Sequence, residues 1–397
     1  MTTPEQIQEL LTRGVSNVTV QEELEKKLAS GTSLRIKHGV DPTTTDLHLG
    51  YATIYLKLRD LQELGHTIVF LIGGFTARFG DPTDKDESRP MRTKEEIDEK
   101  SREYIDQLSM LLDTSKIEVR NNAEWFDTWS FEDGLHLLSN TTVARMLERD
   151  MFDRRMKEGK DIRLHEITYP LLQGYDSVEL KSDVTVIGTD QTFNELQARP
   201  LQEAKGQTPQ DLIAMKLLVG TDGTQKMSQS LGNDIKFRDK PNDMYGKVMA
   251  VHDDAIFDYF ELVTRVPMND ISDMKADVNG GANPRNHKMR LAREIVMLFH
   301  GSEAALAAEQ AFIDQFQKGK KPETIEEFTT TEQELPLVEL LVTSGLSTSK
   351  SEARRVIEQG GVRVNDEVQT EVDAIIDLTT SPLLQVGKRH FKQVKKA

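Results

Sequence analysis

The chain has 397 residues, with 66 acidic and 50 basic side chains, so its formal net charge is −16. This length predicts two or three domains of roughly 100 to 200 residues each, and the absence of cysteine excludes disulfide scaffolds, thiolate metal sites and cysteine nucleophiles. No apolar run approaches the ~20 residues that span a bilayer, and the start of the chain lacks a basic, apolar signal peptide, so we expect a cytoplasmic protein without membrane contact.

The first predicted elements form a strand, helix and strand unit. Residues 35–40 indicate a short strand, apolar residues then recur at helical spacing as far as Gly65, and residues 67–72 form a continuous β-rich run. Residues 184–187 repeat this pattern and lead into a second helix. Residues from about 30 to 235 therefore predict an α/β fold with a Rossmann-like doubly wound parallel sheet, which binds ligands beyond the carboxyl ends of its strands.

The rest of the chain predicts two further regions. A helical stretch follows the sheet and is interrupted at Gly301, and a polar, threonine-rich segment then has linker composition. Residues 349–352 form a capping box that begins a helix, and Asn365 and Asp366 indicate a hairpin turn. The predicted divisions are a sheet domain at 1–235, a helical domain at 236–316, a linker at 317–336 and a small α+β module at 337–397.

Two segments of the sheet domain have the composition of a phosphate site. Thr43 and His48 lie at the start of the first helix, where unpaired N–H groups and the helix dipole favour an anion, and Gly50 permits close approach of a ligand. The polar loop at 222–233 carries Lys226 among hydroxyl side chains and is suited to fold over phosphates. Taken separately, the first segment is more often an ordinary capped turn and the second a solvated loop.

A third segment lies between these two. Tyr169, Gln173 and Asp176 are spaced at i, i+4 and i+7, so a helix that starts at Pro170 aligns them on one face. An outer polar face is the simpler interpretation. The apolar character of the rest of this helix favours contact with a small polar ligand instead.

Together these residues resemble a known family. His48-Leu49-Gly50 with Lys226-Met227-Ser228 resembles the paired nucleotide signatures of class I aminoacyl-tRNA synthetases. Tyr169, Gln173 and Asp176, with the segments 80–82 and 188–191, narrow the resemblance to the tyrosyl-tRNA synthetases. Residues 336–397 resemble an RNA-binding module first described in a small-subunit ribosomal protein.

The resemblance implies ATP-dependent ligation of L-tyrosine to tRNA(Tyr) through a tyrosyl-adenylate. ATP is then a substrate accompanied by Mg²⁺, with no protein-bound metal, and the chain forms a homodimer through a segment inserted in the sheet domain. The implied catalytic residues are Thr43, His48 and Lys226. The implied ATP-binding residues are Gly39, Asp41, His48, Gly50, Gly188, Asp190, Lys226 and Ser228. The implied tyrosine-binding residues are Lys37, Asp81, Tyr169, Gln173, Asp176 and Gln191. Arg354, Arg355, Lys388 and Arg389 would bind RNA, which is compatible with an acidic chain because a basic surface acts locally.

Three positions depart from the family pattern. Tyr51 stands where the first signature usually has a second histidine, Gln229 where the second signature usually has a second lysine, and Lys37 where some members have a tyrosine facing the substrate. The first two changes remove positive charge from the phosphate site. Two alternatives to an active tyrosine ligase therefore remain open: a catalytically weak paralogue that binds tRNA or structured RNA, and a ligase for another amino acid.

Overall fold

The computed structural model describes residues 2–42, 46–82, 92–316, 325–387 and 390–396. Three residues with predicted roles, Thr43, Lys388 and Arg389, lie outside the described residues. The chain divides into two compact units, Met1–Ala305 and Leu306–Ala397. Among the described residues no helix is both long enough and apolar enough to cross a membrane.

The central sheet of the first unit confirms the predicted α/β fold. Six strands of the described residues form it, in the order β1-β6-β5-β2-β3-β4, and neighbours are parallel except that β1 runs antiparallel to β6. The strands are β1 (Val15–Thr19), β2 (Arg35–Val40), β3 (Thr67–Ile72), β4 (Ile117–Asn121), β5 (Val184–Gly188) and β6 (Asp211–Met215). The antiparallel edge strand β1 was not predicted, because its residues neither alternate between apolar and polar nor form a continuous apolar run.

The order of the strands determines where a ligand can bind. All residues of β5 and β6 are buried, as in a parallel sheet covered on both faces. Because the chain passes from β2 to β3 on one side, while β5 pairs with the other side of β2, the strand order reverses between β2 and β5. Open α/β sheets bind ligands at such a switch point, beyond the carboxyl ends of the strands.

Helices cover the sheet and continue beyond it. They are α1 (Pro4–Thr12), α2 (Gln21–Ala29), α3 (Leu49–Glu63), α4 (Thr76–Phe79), α5 (Lys94–Leu108), α6 (Ala123–Phe126), α7 (Phe131–Leu138), α8 (Val143–Leu147), α9 (Asp150–Lys157), α10 (Leu164–Leu180), α11 (Thr192–Leu196), α12 (Ala198–Ala204), α13 (Pro241–Ala250), α14 (Ile256–Val263), α15 (Met268–Asn279) and α16 (Pro284–Phe316). α16 is interrupted at Gly301, where φ is +83°. This is the position at which the sequence predicted a break.

The predicted boundary between residues 235 and 236 falls inside the first compact unit. The buried Tyr259 of α14 donates its hydroxyl to the backbone oxygen of Val219 at 2.7 Å, and the ring centroids of Tyr55 in α3 and Phe237 lie 6.4 Å apart. These contacts join the following helices to the sheet region. A separate helical domain at 236–316 stays a prediction.

The second unit contains a small α+β module. Its elements are β7 (Glu326–Thr330), β8 (Glu334–Pro336), α17 (Leu337–Thr343), α18 (Lys350–Glu358), β9 (Val362–Val364), β10 (Glu367–Gln369), β11 (Ile375–Asp377), β12 (Leu383–Val386) and β13 (His390–Lys396). The predicted hairpin joins β9 and β10, with Asn365 and Asp366 at φ +49° and +73° as a type I′ turn requires. Ser349 caps α18, as predicted, by accepting a hydrogen bond from Glu352 N, but the Glu352 carboxylate bonds to Thr348.

The predicted linker at 317–336 was wrong over its described part. β7 pairs in parallel with β13, and β8 pairs with β11, so both strands belong to the module and not to a connection. Phe328 packs against the buried apolar cluster of the module. The sequence favoured a linker because these strands are rich in glutamate and threonine, and their partners lie far along the chain.

Candidate active site

One cavity of about 530 Å³ opens at the carboxyl ends of β2, β3 and β5. Every described residue that was predicted to bind ATP or tyrosine lines it. These residues are Lys37, Gly39, Asp41, His48, Gly50, Asp81, Tyr169, Gln173, Asp176, Gly188, Asp190, Gln191, Lys226 and Ser228. The structure thus brings together segments that are up to 191 positions apart, as the ends of parallel strands require.

Asp176 lies in the buried wall of this cavity. Its carboxylate accepts hydrogen bonds from the indole Nε1 of Trp125 at 3.1 Å and from the amide of Asn122 at 3.3 Å. Burial raises the pKa of Asp176 to about 8, although the Lys37 ammonium acts in the opposite direction. A carboxyl group held in this way pairs well with one hydroxyl of a ligand and poorly with an apolar group.

The helix that carries Asp176 begins earlier than predicted. α10 spans Leu164–Leu180, with Pro170 inside it and not at its start. The carboxylate of Glu166 accepts a hydrogen bond from Arg163 N at 2.8 Å and pairs with Arg155, which fixes the first turn six residues before the proline. Proline lacks only its own N–H, so the flanking helix tolerates it at some cost. Tyr169, Gln173 and Asp176 still share one face.

Lys37 is engaged within the protein. Its ammonium group donates to Ser177 Oγ at 2.7 Å, to Glu195 Oε2 at 3.0 Å and to the backbone oxygen of Gln173 at 3.2 Å. Both Lys37 and Glu195 are almost completely buried, so the pair is shielded from water. Because an ammonium group has three protons, these contacts use all of them. The geometry therefore favours an indirect role for Lys37, which supports Gln173 and the wall that contains Asp176.

A chain of side-chain amides crosses the floor of the cavity. The Glu195 carboxylate accepts a hydrogen bond from the side-chain amide of Gln173 at 2.8 Å. The side-chain amide of Asn194 donates to the side-chain oxygens of Gln173 at 2.9 Å and Gln191 at 3.2 Å. Gln191 in turn donates to Asp81 at 2.8 Å. Each amide is thereby held in one orientation, with its oxygen and nitrogen assigned by its partners. This orientation leaves carboxylate and carbonyl oxygens to meet a cationic ligand group.

Asp41 links the ends of β2, β3 and the α10 face. It accepts hydrogen bonds from the hydroxyl of Tyr169 at 2.8 Å and from Thr76 at 2.9 Å. The next turn must carry glycine at position 73, because a Cβ there would lie 2.0 Å from Asp41 Oδ1. Burial and the nearby Asp41 carboxylate raise the pKa of Tyr169, so this hydroxyl remains a donor.

His48 occupies the N-cap of α3. Its Nδ1 accepts a hydrogen bond from Gly50 N at 3.2 Å, which places the proton of the neutral ring on Nε2. Burial lowers the pKa of His48 to about 4, so the ring is uncharged at neutral pH. It can offer a phosphate oxygen one hydrogen-bond donor at the positive end of the helix but adds no charge.

The loop with Lys226 has a defined conformation. Asn233, which is buried, accepts a hydrogen bond from Ser228 N at 2.8 Å and donates to Asp222 at 2.9 Å. A Cβ at Gly220 would come within 2.3 Å of the Asn233 side chain, so only glycine fits there. Lys226 reaches across the cavity and lies 3.2 Å from Asp190 Oδ2.

Both departures from the family signature have structural partners. The Tyr51 ring packs against His48 with its centroid 4.6 Å away, and it also contacts Tyr104 of α5. Gln229 donates its amide to the backbone oxygen of Asp46 at 2.6 Å. Neither side chain places a positive charge in the cavity.

The sequence analysis missed several residues that complete the site. They are Thr76, Asn122, Trp125, Asn194, Glu195 and Asn233. Asn122 directly follows β4, and its position beyond a strand end was a usable signal. Trp125, Asn194 and Glu195 lie in helices, where polar and aromatic residues usually face outward or pack in the core, so nothing local marked them.

The predicted RNA-binding residues of the second unit are only partly described. Arg354 and Arg355 are exposed on α18. Lys392, Lys395 and Lys396 form part of β13, and Lys392 and Lys395 pair with Glu326 and Glu327 of β7 at 2.5 Å each. These carboxylates offset the positive charge that the sequence suggested for this segment.

Family models match nearly the whole chain. Residues 29–317 match the model of tRNA synthetases class I (W and Y), and residues 315–389 match the tyrosine–tRNA ligase SYY-like C-terminal domain. The tyrosine–tRNA ligase of Moorella thermoacetica is 44% identical over 390 residues, which are 97% of this chain and 94% of that protein. Tyrosine–tRNA ligase 2 of Vibrio cholerae is 46% identical and covers 96% of each chain.

Solved structures agree with this result. The tyrosyl-tRNA synthetase of Archaeoglobus fulgidus, determined in complex with L-tyrosine, is 25% identical with a TM-score of 0.62 and covers 77% of this chain and 99% of its own. A truncated mitochondrial tyrosyl-tRNA synthetase from Aspergillus nidulans, 22% identical, has the same fold with a TM-score of 0.64 over 78% of this chain and 94% of its own. The chain therefore belongs to the class I tRNA synthetases of the tryptophan and tyrosine group and, within it, to the tyrosine–tRNA ligases.

Proposed function

We propose that the cavity holds tyrosine and ATP side by side and joins them before the tyrosyl group passes to tRNA(Tyr). The observation that carries this proposal is the arrangement of the lining residues. Asp176 lies in a buried wall suited to a phenol hydroxyl, Asp81 and Gln173 present oxygens suited to an α-ammonium group, and His48 and Lys226 present donors suited to phosphates. Tyrosine-dependent exchange of labelled pyrophosphate into ATP tests it.

The remaining roles are those that the resemblance implies. Tyr169 and Gln191 would contact tyrosine, and Gly39, Asp41, Gly50, Gly188, Asp190 and Ser228 would contact ATP; all of them line the cavity. Thr43, which lies outside the described residues, keeps its predicted phosphate role as a proposal. Mg²⁺ would enter with the phosphates of ATP as part of the substrate.

The chemistry needs no nucleophilic side chain. The carboxylate of tyrosine attacks the α-phosphorus of ATP, the bond to the β-phosphate oxygen breaks, and pyrophosphate leaves with that electron pair. A ribose hydroxyl at the end of tRNA(Tyr) then attacks the tyrosyl carbonyl carbon and AMP leaves. The protein contributes by aligning the reactants and by stabilising negative charge on the phosphates.

Lys226 is the cation best placed for the leaving pyrophosphate. Of the cavity-lining residues that the structure describes, only Lys37 and Lys226 are lysine or arginine. Lys37 has its three protons engaged. The pair between Lys226 and Asp190 is partly exposed, and such pairs contribute little free energy, so ATP can displace it readily.

We also propose that two copies of the chain associate. Several large apolar side chains between residues 131 and 164 are exposed, with Phe131 at 84% and Leu164 at 81%. The others are Leu135, Leu138, Val143 and Met156. A second copy that covers them removes this area from water. Sedimentation velocity should show a dimer that Phe131→Glu weakens, and a protein that is monomeric at all concentrations would contradict this proposal.

Deletion of residues 317–397 should separate tRNA binding from amino-acid activation. The cut is placed at 317 because β7 and β8 pair with strands of the module. Pyrophosphate exchange should stay close to that of the full chain, since the cavity lies within Met1–Ala305. Charging of tRNA should fall sharply and lose much of its salt dependence.

A matched variant keeps the module intact. Arg354→Ala with Arg355→Ala should reduce the slope of log affinity against log salt by roughly one for each phosphate that an arginine no longer neutralises. A truncated chain that charges tRNA(Tyr) as well as the full chain would show that the module does not anchor the tRNA.

A further inference from the structure

Gln229 forms a bridge across the mouth of the cavity. It lies in the loop that carries Lys226, and its Nε2 donates to the backbone oxygen of Asp46 at 2.6 Å. Asp46 precedes His48, the N-cap of α3, by two residues. This hydrogen bond ties the Lys226 loop to the segment that precedes α3, over a sequence separation of 183 residues. Just beyond the loop, backbone hydrogen bonds between residues 47–49 and 235–237 join the same two segments.

The contact joins parts that are already ordered. On the loop side, Met227 N donates to the backbone oxygen of Leu218 at 2.8 Å, and Ser228 N donates to Asn233 at 2.8 Å. On the other side, Asp46 pairs with Lys236 at 2.7 Å. Because both partners are fixed, the bond between Gln229 and Asp46 is formed with little further loss of conformational entropy.

The bond also determines where the Lys226 ammonium lies. Lys226 is three residues before Gln229, and Met227, between them, is buried close to Gly50 at the first turn of α3. A loop held at Gln229 therefore keeps Lys226 over the nucleotide half of the cavity. Without this bond the loop keeps its internal bonds to Leu218 and Asn233 but loses a tie to the segment before α3, so the Lys226 ammonium is held less firmly near the leaving group.

We propose that Gln229 is a positioning residue that holds the Lys226 loop closed over the nucleotide before ATP binds. This inference rests on the proposed role of Lys226 in the ligase reaction. It gives a structural role to Gln229, which stands where the family signature usually has a second lysine. The neutral amide would preorganise the loop, whereas a lysine at this position would add positive charge.

Two substitutions of equal size test the tether in the full chain. Gln229→Met keeps the length of the side chain and removes its donor. Gln225→Met makes the same change at an exposed glutamine of the same loop. Amide hydrogen exchange of residues 220–233, measured without substrates, should become roughly three- to tenfold faster in Gln229→Met and stay unchanged in Gln225→Met.

The adenylation kinetics of Gln229→Met distinguish a role in positioning Lys226 from a purely structural role. The adenylation rate of Gln229→Met should fall roughly three- to tenfold, while the KM for tyrosine should not change. Gln229→Lys retains a donor that can reach Asp46 and should recover slow exchange and the adenylation rate.

Unchanged hydrogen exchange in Gln229→Met would overturn the tether. Faster exchange with an unchanged adenylation rate would overturn its positioning role. Because the exchange measurement needs neither ATP nor tyrosine, a failure of the tether can be distinguished from a failure of the ligase chemistry itself.

Discussion

Replacing Asp176 with alanine should lower kcat/KM for tyrosine activation by about 10- to 100-fold and narrow the preference for tyrosine over phenylalanine. The carboxyl group is buried, is held by Trp125 and Asn122, and lines the cavity, where it can accept the hydrogen bond of a phenol hydroxyl. Phenylalanine leaves it unpaired. Tyrosine–tRNA ligases are themselves the known example of a preference of about 10⁵ obtained in this way without editing.

Two controls make this result specific. Glu179→Ala removes an exposed carboxylate from the same helix and should change neither quantity. Asp176→Asn keeps the shape and tests the fold. Because burial raises the pKa of Asp176 to about 8, the native chain loses stability as pH rises from about 4 through 8, whereas the asparagine variant does not. If Asp176→Asn loses activity at pH 8.5 while its melting temperature is no lower than that of the native chain, unfolding is excluded as the cause of the loss. Unchanged discrimination in Asp176→Ala would contradict the assignment.

Replacing Lys226 with alanine should reduce the adenylation rate by about 10² to 10³ with little change in tyrosine affinity. The ammonium group meets negative charge that develops as pyrophosphate leaves, so its loss affects the transition state more than the bound substrates. Stopped-flow measurement of tyrosyl-adenylate formation gives both quantities.

The matched control is Lys216→Ala, which removes an exposed lysine that pairs with Glu261 outside the cavity. It should leave both quantities unchanged. Equal adenylation rates in the native chain and in Lys226→Ala would show that Lys226 does not stabilise the leaving pyrophosphate.

The sequence could predict which residues line one cavity, because short segments of the sequence mark where the strands of a parallel sheet end. Asp41 and Gly188 each follow a buried β-rich run, and the carboxyl ends of such strands meet at one edge. The i, i+4, i+7 spacing of Tyr169, Gln173 and Asp176 likewise determined their shared face, even though the start of the helix was misplaced.

The sequence could not predict which residues bond to the site residues. Glu195 neutralises Lys37 from 158 positions away, and nothing near either residue indicates the other. The resemblance assigns Lys37 to tyrosine, and the structure adds that its three protons are donated to Gln173, Ser177 and Glu195. The same reasoning applies to β7, whose polar, threonine-rich sequence predicted a linker, whereas the structure pairs it with β13.

The two departures in the nucleotide signatures also needed the structure for their interpretation. From the sequence, Tyr51 and Gln229 could be counted only as lost charges. In the fold, Tyr51 packs against the His48 ring and Gln229 is bonded to Asp46.

Exchange of labelled pyrophosphate into ATP tests the central claim most directly, because it reports adenylate formation without tRNA. With the purified full chain, exchange should depend on tyrosine and be negligible with phenylalanine or with no amino acid. Exchange that requires a different amino acid, or no exchange with any amino acid, would contradict the account and favour respectively another ligase or an RNA-binding paralogue.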